Sequence, residues 1–266
     1  MAQTVTPELP LIMVAPNGGR RTKADHPALP VTVGETVAAA KACHAAGAGA
    51  LHAHVRDQAG QHILDAGLYR DLLSQMDAEV PQMLVQITTE AVGRYSPSEQ
   101  RALVRDVRPK AVSVAVREMI PDVSEIEEAS AFYAWAQEQG IAVQHILYAP
   151  EDVRRFHDLN HAGVIPGKAP QLLFVLGRYA EGQQSAPADL DPFLEAMERG
   201  RGSTRPDWAV CAFGKRETDC LAYAVACGGK VRIGFENGLW NRDGALARDN
   251  ADRVRDLRSA LSGTLG

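Results

Sequence analysis

Two histidines, His52 and His54, stand two residues apart in the stretch GAGALHAHVRD at positions 47–57. Alternate side chains of an extended strand share a face, so both imidazoles point the same way and can hold one divalent ion. Each ring then needs an acceptor at its far nitrogen to fix its tautomer. Without a third ligand, the same pair reads as two polar side chains on a wet strand face. Glu236, at the end of another apolar run, is the natural third ligand. A two-histidine, one-glutamate set leaves positions open for water or substrate, whereas a structural zinc would need a fourth protein ligand. Such an ion polarises a carbonyl and stabilises an enolate. Arg232 shares the face of Glu236 by alternation; Thr88, Thr89 and Glu90 end a third run, and Asn17 and Arg20 follow the first. His145 is read as a partly buried ring bonded to backbone, not as a ligand.

These residues sit at the ends of strands in a regular alternation. Apolar runs at 11–16, 49–57, 83–87, 111–116, 143–148, 172–176, 208–213 and 231–236 read as strands. Between them lie helical stretches. Thr32 caps the first, which closes at Gly47, and Ser96 opens the third with Pro97 at its first helical position. Others cover 64–80, 126–139, 151–161, 190–199, 218–227 and 247–261. Eight strand–helix pairs in 266 residues predict a single-domain (β/α)8 TIM barrel over residues 1–266, with a short leader and a C-terminal helix. A doubly wound sheet would want G-x-G-x-x-G after its first strand, and Asn17-Gly18-Gly19-Arg20 lacks that spacing. A barrel puts its site at the C-terminal ends of its strands, where the polar residues fall.

A net charge of −5 argues against nucleic-acid or membrane surfaces as partners. The first ten residues do not read as a signal peptide and no apolar stretch spans a bilayer, so a cytoplasmic location is expected. Four cysteines without CxxC spacing exclude a cysteine-rich zinc site.

The chain resembles the β-keto acid cleavage enzyme family, whose best known activity is 3-keto-5-aminohexanoate cleavage. The motifs that carry the resemblance are RTKADHPALPVT (21–32), GAGALHAHVRD (47–57), QITT (86–89), FVLG (174–177) and GGKVRIGFEN (228–237), in that order. The resemblance implies a (β/α)8 barrel and a divalent metal, usually zinc. It also implies condensation of a β-keto acid with acetyl-CoA to give acetoacetate and a new acyl-CoA, and a homotetramer or larger homo-oligomer. By resemblance His52, His54 and Glu236 hold the metal and Arg232 assists deprotonation. Thr88 and Ser113 fall where the family often has hydroxyls near the substrate. Asn17 belongs with the substrate-binding set.

Three departures qualify it. The family's general-base aspartate is Asn237 here, and an amide accepts no proton at neutral pH. Glu90, where the family tends to have glycine, is the candidate replacement. The glycine-rich stretch after Val-Leu-Gly is Arg178-Tyr179-Ala180-Glu181-Gly182, which puts the acetyl-CoA site in question. Arg20 stands near an acidic residue of the aminohexanoate enzyme, so a second anionic group on the substrate is expected; the rival reading is a solvated turn at Arg20 and Arg21. A hydrolase or aldolase without acetyl-CoA, and a silent keto-acid binder, stay open. His26, His44, His62, His157 and His161 read as surface residues, Arg101, Arg105 and Arg108 as a solvated face, and Cys43 and Cys227 as packed apolar groups.

Overall fold

The computed structural model describes residues 8–200 and 206–262. Eight parallel strands close into a barrel: β1 Ile12–Val14, β2 Ala50–Ala53, β3 Leu84–Thr88, β4 Ala111–Ala115, β5 Ala142–Leu147, β6 Gln171–Leu176, β7 Asp207–Ala212 and β8 Lys230–Ile233. Each strand pairs with its chain neighbours, and β8 closes on β1 with Ile12 opposite Val231. Helices α1 Val33–Ala46, α2 Ala66–Glu79, α3 Pro97–Val107, α4 Ile126–Glu138, α5 Pro150–His161, α6 Asp191–Arg199, α7 Glu217–Ala226 and α8 Asn250–Ser262 surround it. None is long and apolar enough to cross a membrane.

Local chemistry sets the boundaries. Thr32 and Ser96 each make a reciprocal capping box, with Glu35 and Glu99, so both helices start where their side chains satisfy free backbone N–H groups. Two apolar layers hold the fold. Strand residues that face outward, such as Leu51, Ile87 and Phe174, pack with helix residues such as Tyr69, Leu72 and Phe132. Inside the barrel a smaller cluster, including Met13, Ala50, Leu173 and Ala209, fills the floor beneath the polar residues of the mouth.

Two strands end earlier than their sequence pattern. β2 stops at Ala53, and Val55–Arg56 pairs antiparallel with His62–Ile63 in a hairpin closed at Asp57–Gly60. β8 stops at Ile233, and the chain turns so that Asn237 and Gly238 both donate to the Gly234 carbonyl. His54 and Glu236 therefore sit just beyond strands, not on them.

Several expected surface residues are buried. His62 and His26 are 1% and 3% exposed, and His26 Nε2 lies 2.8 Å from the Ala247 carbonyl. His157 is buried against Phe156, and His44 is half-buried with Nδ1 3.0 Å from the Ala48 carbonyl. Arg101 is buried and ion-paired to Glu125 at 2.7 Å, in the turn just before α4. Cys227, at the end of α7, is exposed. His145 lies between Tyr133 and Phe156, outside the barrel, with Nδ1 unpartnered; burial pushes it down to about 3, so the ring is neutral.

Candidate metal centre and active site

His52 projects into the barrel mouth from β2, His54 from the strand's exit and Glu236 from the turn after β8. The donor atoms form a triangle. His52 Nε2 lies 3.3 Å from His54 Nε2, and Glu236 Oε2 lies 3.5 Å and 3.7 Å from the two nitrogens. A tetrahedral ion with bonds of about 2.0–2.1 Å needs donors about 3.3 Å apart. The three atoms are the right kind at close to the right spacing. Glu236 Oε2 is also buried without a hydrogen-bond partner, a costly arrangement unless a cation completes it. Residues and geometry fit a divalent metal.

A backbone carbonyl at the far end of a hydrogen-bond relay sets the tautomer of His52. His52 Nδ1 is 2.8 Å from Gln86 Oε1. Gln86 donates to Gln144 Oε1 at 3.0 Å, and Gln144 donates to the Leu172 carbonyl. A carbonyl only accepts, so both amide orientations are fixed and His52 carries its proton on Nδ1. Its Nε2 lone pair is left facing Glu236. Asn17 braces the other ligand, its amide donating to the His54 carbonyl at 2.9 Å and accepting from the His54 N–H. Burial pushes both histidines well below their ordinary range, so both rings are neutral, the form that can ligate a metal.

Two glycines let the carboxylates come close. A Cβ on Gly18, whose φ is +61°, would lie 2.5 Å from Glu236 Cγ, and one on Gly19 would lie 2.7 Å from Glu90 Oε2. The Asn-Gly-Gly turn after β1 is thus shaped by what leans against it. Arg56 clamps the same turn, donating to the carbonyls of Asn17, Gly18 and Arg21.

The cavity above the triangle opens at the barrel mouth. Its charges are mostly cationic: Arg20 and Arg21 from the β1 turn, Arg178 from the loop after β6, and Arg232 from β8. Arg232 donates to Glu236 Oε1 at 3.0 Å, while its Nε and Nη1 are buried and unpartnered. Burial opposes its charge most strongly, but Glu236, Cys211 and Tyr148 together outweigh it and hold the guanidinium above its ordinary value. Glu90 stands at the other wall, 3.4 Å from Arg178 and 3.7 Å from His54 Nδ1. Burial, and then the like charge of Glu236, push its carboxyl up to about 7 against the pull of Arg178.

The structure brings most of the expected residues together. Asn17, Arg20, His52, His54, Thr88, Glu90, Arg232 and Glu236 all line the cavity. Thr88 Oγ1 accepts the Glu90 N–H at 3.1 Å and so helps set that carboxylate's position. Ser113 and Asn237 lie outside the lining: both are fully buried, and their side-chain polar atoms have no protein partner. Sequence reasoning missed Gln86, Arg56, His62 and the placement of Arg178. A loop of a few residues containing Gly60, between two alternating runs, was a readable hairpin signal for His62. The glutamine relay carried none, because it joins β3 to β5 across the barrel interior.

A closed (β/α)8 barrel with a two-histidine, one-glutamate donor set at its C-terminal mouth defines a barrel enzyme with a candidate metal centre. The chain belongs to the beta-keto acid cleavage enzyme family, whose model matches residues 10–264. It is similar to a 3-keto-5-aminohexanoate cleavage enzyme of Fusobacterium nucleatum, with 28% identity covering 92% of this chain and 88% of the relative. A 3-oxoadipate:acetyl-CoA acetyltransferase of Cupriavidus necator is 24% identical, covering 93% and 86%. Among solved structures, the binary complex of ObcA with oxaloacetate superposes with a TM-score of 0.71 at 16% identity, covering 90% of this chain and 65% of that one. That likeness shows the shared fold.

Proposed function

We propose that the protein is a divalent-metal-dependent β-keto acid cleavage enzyme, with zinc the expected ion. It would condense R–CO–CH2–COO⁻ with acetyl-CoA, giving R–CO–S-CoA and acetoacetate. The donor triangle of His52, His54 and Glu236, with Glu236 Oε2 otherwise unpartnered, is the observation that carries this reading. When bound, a divalent cation supplies Lewis-acid polarisation of the substrate's ketone and carboxylate oxygens. Relatives named as acetyl-CoA-dependent transferases of keto acids supply the second substrate.

The chain's own residues have distinct tasks in this scheme. Arg232 lines the cavity and keeps two nitrogens, Nε and Nη1, without a protein partner, to serve the carboxylate and the enolate that forms. Glu90 takes the proton from the carbon between the two carbonyls, since the amide of Asn237 cannot and does not reach the cavity lining. Thr88 holds Glu90 through its backbone N–H. Arg178 and Arg20, which also line the cavity, receive a second anionic group, so a dianionic keto acid is the expected substrate. A homo-oligomer of four or more chains and a cytoplasmic location remain part of this proposal.

The test is an assay of zinc-loaded protein with a panel of β-keto acids, with and without acetyl-CoA, following acetoacetate and acyl-CoA. Formation of both products only with acetyl-CoA, fastest for dianionic substrates, is expected. Substrate loss without acetyl-CoA would replace the scheme by a hydrolase or aldolase reaction, and binding without turnover by a silent binder.

A further inference from the structure

We infer that His62 is a positioning residue that orients the metal-facing nitrogen of His54 and ties it to the chain segment carrying Glu90. The inference rests on the metal reading above and adds a residue that lies outside the donor triangle. His62 sits on the second arm of the hairpin after β2, opposite Arg56. It is 1% exposed, and its ring packs edge-on against His54 with centroids 4.7 Å apart.

Both of its nitrogens are used. His62 Nε2 lies 3.0 Å from the Glu90 carbonyl oxygen. Because that oxygen only accepts, Nε2 carries the proton and Nδ1 of the neutral ring is a bare acceptor. His62 Nδ1 lies 3.3 Å from His54 Nδ1, so His54 must donate there. His54 Nε2 is then left as a lone pair, 3.3 Å from His52 Nε2 and 3.7 Å from Glu236 Oε2. One backbone carbonyl thereby decides which nitrogen of His54 faces the ion. The two ligands are served by parallel devices. His52 reaches the Leu172 carbonyl through two glutamines, and His54 reaches the Glu90 carbonyl through one histidine.

The link also has a geometric consequence. The Glu90 carbonyl held by His62 belongs to the residue whose carboxylate faces His54 Nδ1 at 3.7 Å. Arg94 donates to the His62 carbonyl, and the Leu64 N–H donates to the Tyr95 hydroxyl, so residues from the loop after β3 fasten the hairpin on both sides. Moving the hairpin would shift a metal ligand and the cavity carboxylate together.

Two readouts test this on the full chain. Long-range proton–nitrogen NMR of metal-free, ¹⁵N-histidine-labelled protein should show His54 protonated at Nδ1. Zinc affinity, measured by chelator competition, should weaken about 10- to 100-fold in His62→Phe and largely recover in His62→Gln, whose amide both donates and accepts. An Nε2-protonated His54 in the unsubstituted protein would overturn the inference, as would unchanged zinc affinity in His62→Phe or a Gln variant no better than Phe. Failure of the unsubstituted protein to bind zinc would strike the metal reading instead, while the NMR result would still decide the hydrogen bond.

Discussion

Two glutamate–arginine pairs, one fully buried and one with a half-buried glutamate, flank the exit of β8, and they are built to opposite ends. Glu217 and Arg253 are both fully buried, 2.8 Å apart, and join α7 to α8. Glu217 Oε1 also accepts the Gly234 N–H, and Arg253 reaches Thr218, Asn241 and Asp256. Burial pushes the Glu217 carboxyl up to about 7 while Arg253 pulls it down. Glu236 and Arg232 meet at 3.0 Å, yet Glu236 Oε2 and Arg232 Nε and Nη1 are left unpaired. The first pair uses nearly all of its hydrogen-bonding capacity within the fold, leaving only Arg253 Nε unpaired. The second keeps capacity in reserve, and it opens onto the cavity. Ionic pairing alone does not distinguish a strut from a site; unspent valence does.

Substitutions at the two pairs should separate metal binding from stability. Glu236→Gln carries the largest effect: zinc binding should fail and turnover fall by about 10³-fold or more, because the ion loses a charged ligand. Metal analysis and the product assay check it. A chelator should lower the melting temperature of the unsubstituted protein and leave that of the variant unchanged. If Glu236→Gln instead unfolded the chain, the contrast between the pairs would collapse. Arg253→Met should be the reverse, destabilising by about 3–5 kcal/mol because Glu217 is left buried without its partner and must take up a proton to stay there, while the folded fraction still binds zinc. Denaturant unfolding with parallel zinc titration reads both quantities.

An exposed pair gives the baseline. Lys23 and Glu35 meet at 2.8 Å with side chains 49% and 40% exposed. The hydrogen bond from Lys23, together with backbone N–H groups, holds Glu35 down at about 2. A depressed carboxyl contributes stability above its ordinary value near 4.5 and loses it as pH falls through about 2. Glu35→Gln should therefore cost less than about 1 kcal/mol at pH 7, after allowing for solvent screening. The difference should vanish near pH 2 if both chains remain folded, as pH-dependent denaturation would show.

The contrast also explains what was legible beforehand. His52 and His54 declared themselves through a two-residue spacing, although β2 ends between them and the hairpin turn, not strand alternation, finally aims His54. Glu236 declared itself as a carboxylate after an apolar run, although the turn that follows β8 carries it. Histidines judged by local context were misplaced: the Gly60 turn signalled a hairpin, but nothing near His62 reports that the loop after β3 closes over it.

Short apolar runs alternating eight times with helical stretches, with caps at Thr32 and Ser96 and breaks at glycine, specified a (β/α)8 barrel, because those signals are local. Residue type at strand ends specified the donor set. Only the closed barrel decided which partners those donors receive. Gln86 meets Gln144 from β5, the Glu90 carbonyl from the loop after β3 meets His62 on the hairpin, and Arg178 swings in from the loop after β6. Contacts between segments 28, 58 and 88 residues apart follow from barrel closure and register, and no local pattern of side chains encodes them.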